Sequence, residues 1–410
     1  MVTYLNLGVL LHANKDCMLD MRRFLALFVF LLGTLLPAQA AQSDSIRFSL
    51  LTCAPGTEIY ALFGHTALRY ENFSTNEDWV YNYGMFSFRT PNFVMRFVKG
   101  ETDYQLGKIP YLYFREEYAN RGSSVYQQEL NLCEGEKIKL LRLLEENYRP
   151  QNRVYRYNYF FDNCTSRARD KVEDAIQGQV IYPQNPEQRT FRDIIHEYTA
   201  GYEWSEFGID LCLGSEADKP IDERKQMFAP FYMLAFARDA KIQREGGEAV
   251  SFVQSEKKVV DVNPVNTPTG VFTPMFSAII LLVLTVLVIY WSIRLQKICW
   301  LWDAFLFGAQ GIGGCVIAFL FFFSVHPTVG SNWLLILFNP LPLLYLPVMI
   351  YKGIKGQKDV FHVINVVYLT LFIIIMPFLP QKFPTTILPL TLILWLCSLG
   401  HVYIYKRKES

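Results

Sequence analysis

The pattern of apolar and polar positions changes near residue 262. Before it charged and apolar residues alternate, and after it long apolar runs dominate. Five of these runs are long enough to cross a bilayer as helices. They are Met275–Ile293, Leu301–Phe323, Trp333–Tyr351, Phe361–Phe378 and Ile387–Tyr405. The pattern predicts an all-α domain of five transmembrane helices over residues 275–410, joined by a linker at 263–274.

Basic residues lie at alternate ends of these runs. They follow the first run (Arg294, Lys297), the third (Lys352, Lys355, Lys358) and the fifth (Lys406, Arg407, Lys408). The second connection carries no Lys or Arg and the fourth only Lys382. Because basic loops stay in the cytoplasm, the spacing predicts an inner-membrane protein with a cytoplasmic C-terminus and a periplasmic N-terminal domain.

The N-terminus gives the same orientation. Arg22 and Arg23 precede an apolar stretch, residues 24–36, and an Ala-Gln-Ala sequence at 38–40. Positive residues, a short apolar core and a small-x-small site are typical of a secretory signal peptide. We therefore assign residues 1–40 to a leader and signal peptide, with Met21 as a possible true start. An uncleaved anchor is the alternative.

Residues 41–262 read as a mixed α+β domain. Alternating or doubly apolar stretches predict strands at 46–53, 59–69 and 79–84. A helical apolar period runs from Glu134 to Tyr148 and ends before Pro150.

Further along the domain, we expect a helix at 190–198 in which His196 lies on a solvated face, a structured loop at 202–214, and another helix at 222–243. Residues 244–270 read as a polar linker. Residues 91–118 mix aromatic and basic residues, which suits either a membrane surface or an ordinary half-buried one.

Cys164 occupies a position that favours reactivity. Asp162 and Asn163 are preferred N-cap residues, and a helical period begins at Cys164. A thiol in the first turn feels the positive end of the helix dipole, which favours the nucleophilic thiolate, and amides of that turn are candidates for an oxyanion hole. The alternative is a cysteine that only fills the core.

His65 and Asn82 complete a candidate catalytic set. His65 lies on a strand that is apolar on both sides, and Asn82 is the polar side chain of the next strand. Asn82 on a neighbouring strand can hold the far ring nitrogen of His65, the arrangement of a Cys-His-Asn site. The alternatives are a structural histidine and an asparagine that forms a turn beside Gly84.

Other chemistries find no support in the sequence. A net charge of +1 without a basic block predicts no nucleic-acid partner. Metal and phosphate motifs are missing, so no metal or cofactor is expected. Cys53, Cys133 and Cys212 would share the periplasm with Cys164, and a disulfide among them is open. Cys53 follows no helix-start pattern and ranks below Cys164 as a nucleophile.

Two levels of resemblance follow from these motifs. Phe-Gly-His65-Thr and Asp-Asn-Cys164-Thr are similar to permuted NlpC-like enzymes, which predicts a permuted papain-like fold for the exported domain. The whole chain resembles the Bacteroidetes lipoprotein N-acyltransferase family, Lnb. Besides the two motifs above, this resemblance rests on Leu-Thr-Cys53-Ala-Pro-Gly, Tyr81-Asn82-Tyr-Gly, Phe207-Gly-Ile-Asp-Leu and His326-Pro in the five-span tail.

The resemblance implies an acyl transfer from a phospholipid donor through a Cys164 thioester to the α-amino group of a lipoprotein acceptor's diacylglyceryl cysteine, in the lipid bilayer. The catalytic residues would be Cys164, His65 and Asn82. Candidate substrate-binding residues are Arg69, Tyr83, Asn163 and Arg167 within the motifs, and His326 and Asn332 on a predicted outer loop.

Two other functions stay open. A cysteine peptidase or amidase acting on cell-wall peptides would use the same residues with water as the acceptor. A non-enzymatic membrane adaptor would keep Cys164 as a core residue.

Overall fold

A computed structural model of the chain describes residues 45–263 and 270–409. The predicted leader and signal peptide (1–40) lies outside the described residues, and so do positions 264–269 of the predicted linker. An α+β domain precedes five long apolar helices, as the sequence predicts.

The N-terminal domain contains twelve strands in its described part, and its main sheet holds seven of them. The strands are β1 (Ile46–Cys53), β2 (His65–Asn72), β3 (Glu77–Met85), β4 (Asp103–Pro110), β5 (Val125–Leu130), β6 (Val154–Arg156), β7 (Gln179–Ile181), β8 (Arg189–Thr190), β9 (Pro220–Ile221), β10 (Lys241–Gln243), β11 (Val250–Ser251) and β12 (Val253–Val260). The order in the main sheet is β12-β5-β1-β2-β3-β4-β6, and small sheets join β11-β10-β7 and β8-β9.

Helices cover both faces of the main sheet. The helices of this domain are α1 (Phe93–Lys99), α2 (Tyr111–Asn120), α3 (Glu134–Tyr148), α4 (Cys164–Ala175), α5 (Phe191–Thr199), α6 (Glu203–Cys212), α7 (Glu223–Gln226) and α8 (Pro230–Asp239). Ala67 and Val80 face Phe114 of α2 in one buried cluster. Because strand side chains alternate, Tyr81 and Tyr83 point the other way and bond to α3.

The strand predicted at 59–69 is only partly correct. Residues Ile59–Ala61 form a 3-10 turn, and the strand begins at His65. Gly64 between them has φ +75°, and a Cβ there would lie 2.4 Å from the Cys53 carbonyl oxygen. The chain therefore reverses direction next to β1, which a glycine permits and a continuous strand does not.

Three other predictions need correction. The loop expected at 202–214 contains the helix α6, and the single helix expected at 222–243 is divided into α7, α8 and the strand β10. The polar linker expected at 244–270 contains β12, one of the two edge strands of the main sheet, which pairs antiparallel with β5. An edge strand bonds on one side only, so polar residues suit it.

Five apolar helical segments, each long enough to span a membrane, lie in the described part after residue 270. They comprise α9 (Pro274–Leu295), α10 (Trp300–Phe323), α11 with α12 (Leu334–Leu337 and Leu341–Lys355), α13 with a 3-10 turn (Val360–Ile375 and Met376–Phe378) and α14 (Ile387–Glu409). Pro340 precedes α12 and divides the third span.

The N-terminal domain rests on the two connections predicted to lie outside. The amide of Gly214 donates to the Thr328 carbonyl at 2.7 Å, and the Gln381 side chain donates to the Leu213 carbonyl at 3.1 Å. Lys382 forms a 2.8 Å ion pair with Asp193. Backbone and side-chain bonds thus hold the domain against the membrane helices.

A buried arginine organises the domain's side of this contact. The Arg192 guanidinium is 1 % exposed and pairs with Asp210 at 2.5 Å and Asp218 at 2.8 Å. Asp218 also accepts the Lys382 amide at 3.1 Å. His196, expected on a solvated face, is half-exposed and bonds to Asp210 at 3.0 Å. The polar side of α5 is therefore an ion-pair network.

Candidate active site

Asn163 builds the helix start that carries Cys164. Its side-chain oxygen accepts the amides of Thr165 and Ser166, each at 2.9 Å, and its side-chain nitrogen donates to the Tyr159 carbonyl at 2.8 Å. Asn163 is therefore an N-cap, which fixes the first turn of α4. Since these two amides bond to the cap, they are not the oxyanion donors that the sequence suggested. Cys164 itself is 8 % exposed.

His65 lies between Asn82 and Cys164. Its Nε2 is 2.5 Å from the Asn82 side-chain oxygen, and its ring is also hydrogen bonded to the Cys164 thiol. An amide oxygen only accepts, so this contact assigns the proton to Nε2 and leaves Nδ1 for the sulfur. The three predicted catalytic residues, from β2, β3 and α4, come together in the order thiol, imidazole, amide.

The electrostatics of the pair favour an ionised thiol. Burial alone would raise the pKa of Cys164, but the charge of His65 and its hydrogen bond outweigh burial. The Thr66 amide and the Thr165 hydroxyl add smaller stabilising contacts, and the pKa of Cys164 falls to about 7. Burial lowers the pKa of His65, while the Cys164 charge and the bonds to Cys164 and Asn82 raise it overall. A thiolate–imidazolium pair near neutral pH follows.

Two glycines allow this approach. Gly64 lets the chain turn into β2 immediately before His65. Gly84 has φ +84°, and a Cβ there would lie 3.5 Å from the Cys164 Cβ and 3.7 Å from the Tyr157 ring. A side chain at Gly84 would therefore occupy the space beside the thiol.

Cys53 has the surroundings of a structural thiol. It is buried in the core next to Tyr118, with which it shares a hydrogen bond, and burial raises its pKa well above the usual value. The Tyr118 ring lies parallel to the His65 ring, with centroids 6.4 Å apart. Cys53 thus contacts Tyr118, and the Tyr118 ring packs against the His65 ring. The described cysteines, Cys133 and Cys212 included, are free thiols.

Arg69 and Tyr83, predicted to bind substrate, are engaged inside the domain. The Arg69 guanidinium bonds to Asp78 at 2.7 and 2.8 Å and lies 3.4 Å from the centre of the Tyr111 ring. The Tyr83 hydroxyl donates to the Asn147 side chain at 2.7 Å. These contacts do not bring either side chain to the Cys164 thiol.

Arg167 stabilises the loop before Cys164. It makes two bonds to Asp162, at 2.6 and 2.7 Å, and its guanidinium lies 3.5 Å from the centre of the Tyr155 ring. With Asn163 it shapes the turn that delivers Cys164. That either residue also binds substrate, as the sequence predicts, stays a prediction.

His326 and Asn332 lie at the junction with the membrane helices. The His326 ring nitrogen bonds to the Phe97 carbonyl at 2.8 Å. The Asn332 amide donates to the Leu211 carbonyl at 2.7 Å and its oxygen accepts from Gln381 at 3.1 Å. Asn332 therefore joins the two parts of the chain, and His326 joins α1 to the end of α10.

Sequence reasoning missed the residues that surround the catalytic three. Thr66 and Thr165 directly follow His65 and Cys164, and their hydroxyls lie 3.1 Å apart. Tyr118 and Tyr157 pack beside the imidazole and the thiol, respectively. The repeated Thr after each catalytic residue is a signal that the sequence contains, whereas the ring contacts depend on packing between distant segments.

One group in the described residues offers donors of the kind that bind metals. Asp303, Cys397 and His401 are buried among the membrane helices, with their donor atoms within 4.8 Å of one another. They already bond to each other, since Asp303 accepts from Cys397 at 2.9 Å and pairs with His401 at 2.8 Å. Asp303 lies near the start of α10, whereas His326 follows its end, so the cluster is far from Cys164.

These features define a class of protein: a membrane-embedded protein whose α+β domain presents a Cys-His-Asn site beside five apolar helices. Comparison with protein families identifies the family. Residues 36–197 match the Lnb N-terminal periplasmic domain, and residues 266–409 match the Lnb transmembrane domain. The chain belongs to the Lnb family, with its N-terminal domain in the periplasm. Searches of curated proteins and of solved structures give no match.

Proposed function

We propose that this protein is a lipoprotein N-acyltransferase that uses Cys164 as its nucleophile. The observation that carries the proposal is the hydrogen-bonded series of Cys164, His65 and Asn82 in a domain held against five membrane-spanning segments. The permuted papain-like arrangement predicted from the sequence belongs to the same proposal. The order of histidine strand, asparagine strand and cysteine helix supports it.

The first half-reaction forms a thioester. The Cys164 sulfur attacks the ester carbonyl carbon of a phospholipid, and a carbon–sulfur bond forms while the carbon–oxygen bond to glycerol breaks. His65 holds the thiol proton and gives it to the departing glycerol oxygen, which leaves a lysophospholipid. The Thr66 amide and the Thr165 hydroxyl, which lie against the sulfur, stabilise its thiolate form before the attack and again when the thiolate leaves in the second half-reaction.

The second half-reaction transfers the acyl group to nitrogen. The α-amine of the lipoprotein's diacylglyceryl cysteine attacks the thioester carbon, and a carbon–nitrogen bond forms as the carbon–sulfur bond breaks. His65 accepts the amine proton and returns the site to its starting state. Asn82 keeps the imidazole oriented through both steps.

The membrane location supports a reaction between two lipids. Both substrates are confined to the bilayer, so a tethered domain meets them at high local concentration. With the domain in the periplasm, the five described spans and the basic residues after the fifth run support a cytoplasmic C-terminus.

The test is mass spectrometry of a lipoprotein N-terminus in cells that contain the wild-type protein, Cys164→Ser or His65→Ala. We expect N-acylation only with the wild type, while both variants remain in the membrane. A full N-acylation level with Cys164→Ser would refute the nucleophile. Cleaved cell-wall peptides instead of an acylated lipoprotein would indicate the peptidase or amidase. Cys164→Ser that retains biological function without either product would indicate the adaptor.

A further inference from the structure

A row of aromatic rings joins the end of the second membrane span to the catalytic cysteine. The successive ring-centroid distances are 6.0 Å for His326–Phe97, 6.2 Å for Phe97–Phe93, 5.6 Å for Phe93–Phe86, 4.9 Å for Phe86–Tyr104 and 4.2 Å for Tyr104–Tyr157. We call the rings from Phe97 to Tyr157 the aromatic row. Its last ring lies beside Gly84, which also adjoins Cys164. The row therefore ends near Cys164.

The membrane end of the row sits directly on a lipid-facing helix. The Val325 amide donates to the Lys99 carbonyl at 2.9 Å, which fixes α1 to the segment after α10. Phe322 and Phe323, the last residues of α10, are 66 % and 65 % exposed. The exposed apolar end of the span thus lies next to α1, with Lys99, Ser324 and His326 as the polar residues of the junction.

The outer side of the row is apolar and open. Phe97 and apolar side chains next to the row are exposed. The exposed fractions are 72 % for Val94, 53 % for Met95, 49 % for Phe97, 64 % for Phe88 and 57 % for Tyr60. A contiguous exposed apolar surface of this kind marks a site of interaction. Its continuity with a membrane span selects lipid as the occupant over a soluble protein.

We propose that the aromatic row binds the acyl chain of the donor phospholipid and guides its ester from the bilayer to Cys164. This inference rests on the proposed function. The donor fits better than the acceptor because its transferred chain is attached directly to the carbon that the sulfur attacks. A row that ends near Cys164 therefore matches that chain. Rings along the row give apolar contact at each step, which favours long chains over short ones.

Photo-crosslinking tests where the chain lies without requiring turnover. The full-length protein is reconstituted in phosphatidylethanolamine vesicles that contain a donor with a diazirine at the end of its acyl chain. We expect crosslinks in peptides that cover residues 86–104. Phe97→Ser should reduce them at least fivefold. Phe73→Ser, at a residue 57 % exposed on the β2–β3 turn, is the matched control and should leave them unchanged.

Crosslinks elsewhere, or equal loss in both variants, would overturn the proposal. An excess of diacylglyceryl lipopeptide separates the two lipid substrates. If it abolishes the crosslinks, the row holds the acceptor's chains and the assignment to the donor is wrong. Retained crosslinks support the donor.

Chain-length dependence separates this inference from the function itself. Without acceptor, we measure the Cys164 thioester by mass spectrometry with a long-chain and a dihexanoyl donor. Phe97→Ser should slow the long-chain reaction about tenfold and leave the short-chain reaction unchanged. Equal rates for wild type and variant on the long chain would refute the row while leaving the function intact. A wild type that forms no thioester with either donor refutes the proposed function, and the crosslinks then decide whether the row binds lipid.

Discussion

The hydroxyl oxygens of Thr66 and Thr165 lie 3.1 Å apart, although 99 positions separate the two residues in the chain. One residue follows His65 on β2 and the other follows Cys164 on α4. The bond therefore ties together the two backbone segments that present the imidazole and the sulfur. It holds the catalytic pair in register without touching the imidazole.

This relationship predicts the effect of removing one hydroxyl. Thr165→Val keeps the side-chain shape but leaves the Thr66 hydroxyl without this partner. It also removes the contact between the Thr165 oxygen and the Cys164 sulfur, which lie 3.9 Å apart. We expect thioester formation to slow roughly tenfold, since one lost hydrogen bond to a charged group is worth about 1.5 kcal/mol. Thr165→Ser restores the hydroxyl and should restore most of the rate. A wild-type rate in Thr165→Val together with a slow rate in Thr165→Ser would show that the methyl group, not the hydroxyl, matters.

Local signals in the sequence accompany each of the three candidate catalytic residues. Asn163 before Cys164 is a cap, and Glu134–Tyr148 was predicted with the bounds that the structure has, since its helical period and the following Pro150 are local. His65 and Asn82 were placed on neighbouring strands, and β2 and β3 do pair.

Features that depend on distant partners escaped prediction. The residues of β12 are polar because that strand bonds only to β5, more than a hundred positions earlier, so nothing near them indicates a sheet. Tyr118 meets His65 through the packing of α2 on the sheet, and the aromatic row crosses four separate elements and loops. The bonds of Arg69 to Asp78 likewise could not be predicted from the sequence, which only made Arg69 a candidate substrate-binding residue through the resemblance.

The pH dependence of thiol labelling tests the catalytic pair. Because His65 lowers the pKa of Cys164 to about 7, we expect the rate of iodoacetamide labelling of Cys164 to rise with pH through a midpoint near 7. In His65→Ala the stabilising charge is gone while burial remains, so the midpoint should move above the ordinary value of about 8.5. Peptide mass spectrometry follows Cys164 separately from Cys53. An unchanged midpoint in His65→Ala would contradict the ion pair.

Glu136 should govern the acid stability of the domain. It accepts bonds from Arg244 at 2.7 Å, from the Gln177 amide at 2.9 Å and from the Cys133 amide at 2.8 Å. Burial alone would raise its pKa, but these bonds outweigh it and lower the pKa of Glu136 to about 2. A lowered pKa adds stability above the unfolded value of about 4.3, and this contribution is lost as the pH falls toward 2.

Glu136→Gln removes this contribution. We expect a loss of about 3 kcal/mol at pH 7, because the Arg244 charge loses its buried partner. Thermal unfolding of the full-length protein in detergent measures this loss in the free energy of unfolding, and the difference from wild type should shrink between pH 4.5 and 2.

Glu134→Gln is the matched control on the same helix. Its pair with Lys137 is 3.3 Å long and Glu134 is 61 % exposed, so the change should cost under about 1 kcal/mol. A loss at pH 7 no larger than that of Glu134→Gln would contradict this account.

Gly214 tests whether close docking on the membrane helices serves the reaction. A Cβ at Gly214 would lie 2.5 Å from the Ser331 carbonyl carbon and 2.7 Å from the Asn332 nitrogen, so Gly214→Ala must push the domain away from this connection. We expect a lower melting temperature, from a cost of about 1–3 kcal/mol, and a slower transfer from bilayer phospholipid. Labelling of Cys164 by iodoacetamide should be unchanged, because Cys164 and His65 both lie within the domain.

Gly208→Ala is the control, since a Cβ at Gly208 on α6 would meet nothing within 4 Å. The opposite outcome is a Gly214→Ala variant that is less stable but transfers acyl chains at the wild-type rate. The contact of Gly214 with Ser331 and Asn332 would then be purely structural, and the orientation of the domain on the membrane would not limit the reaction.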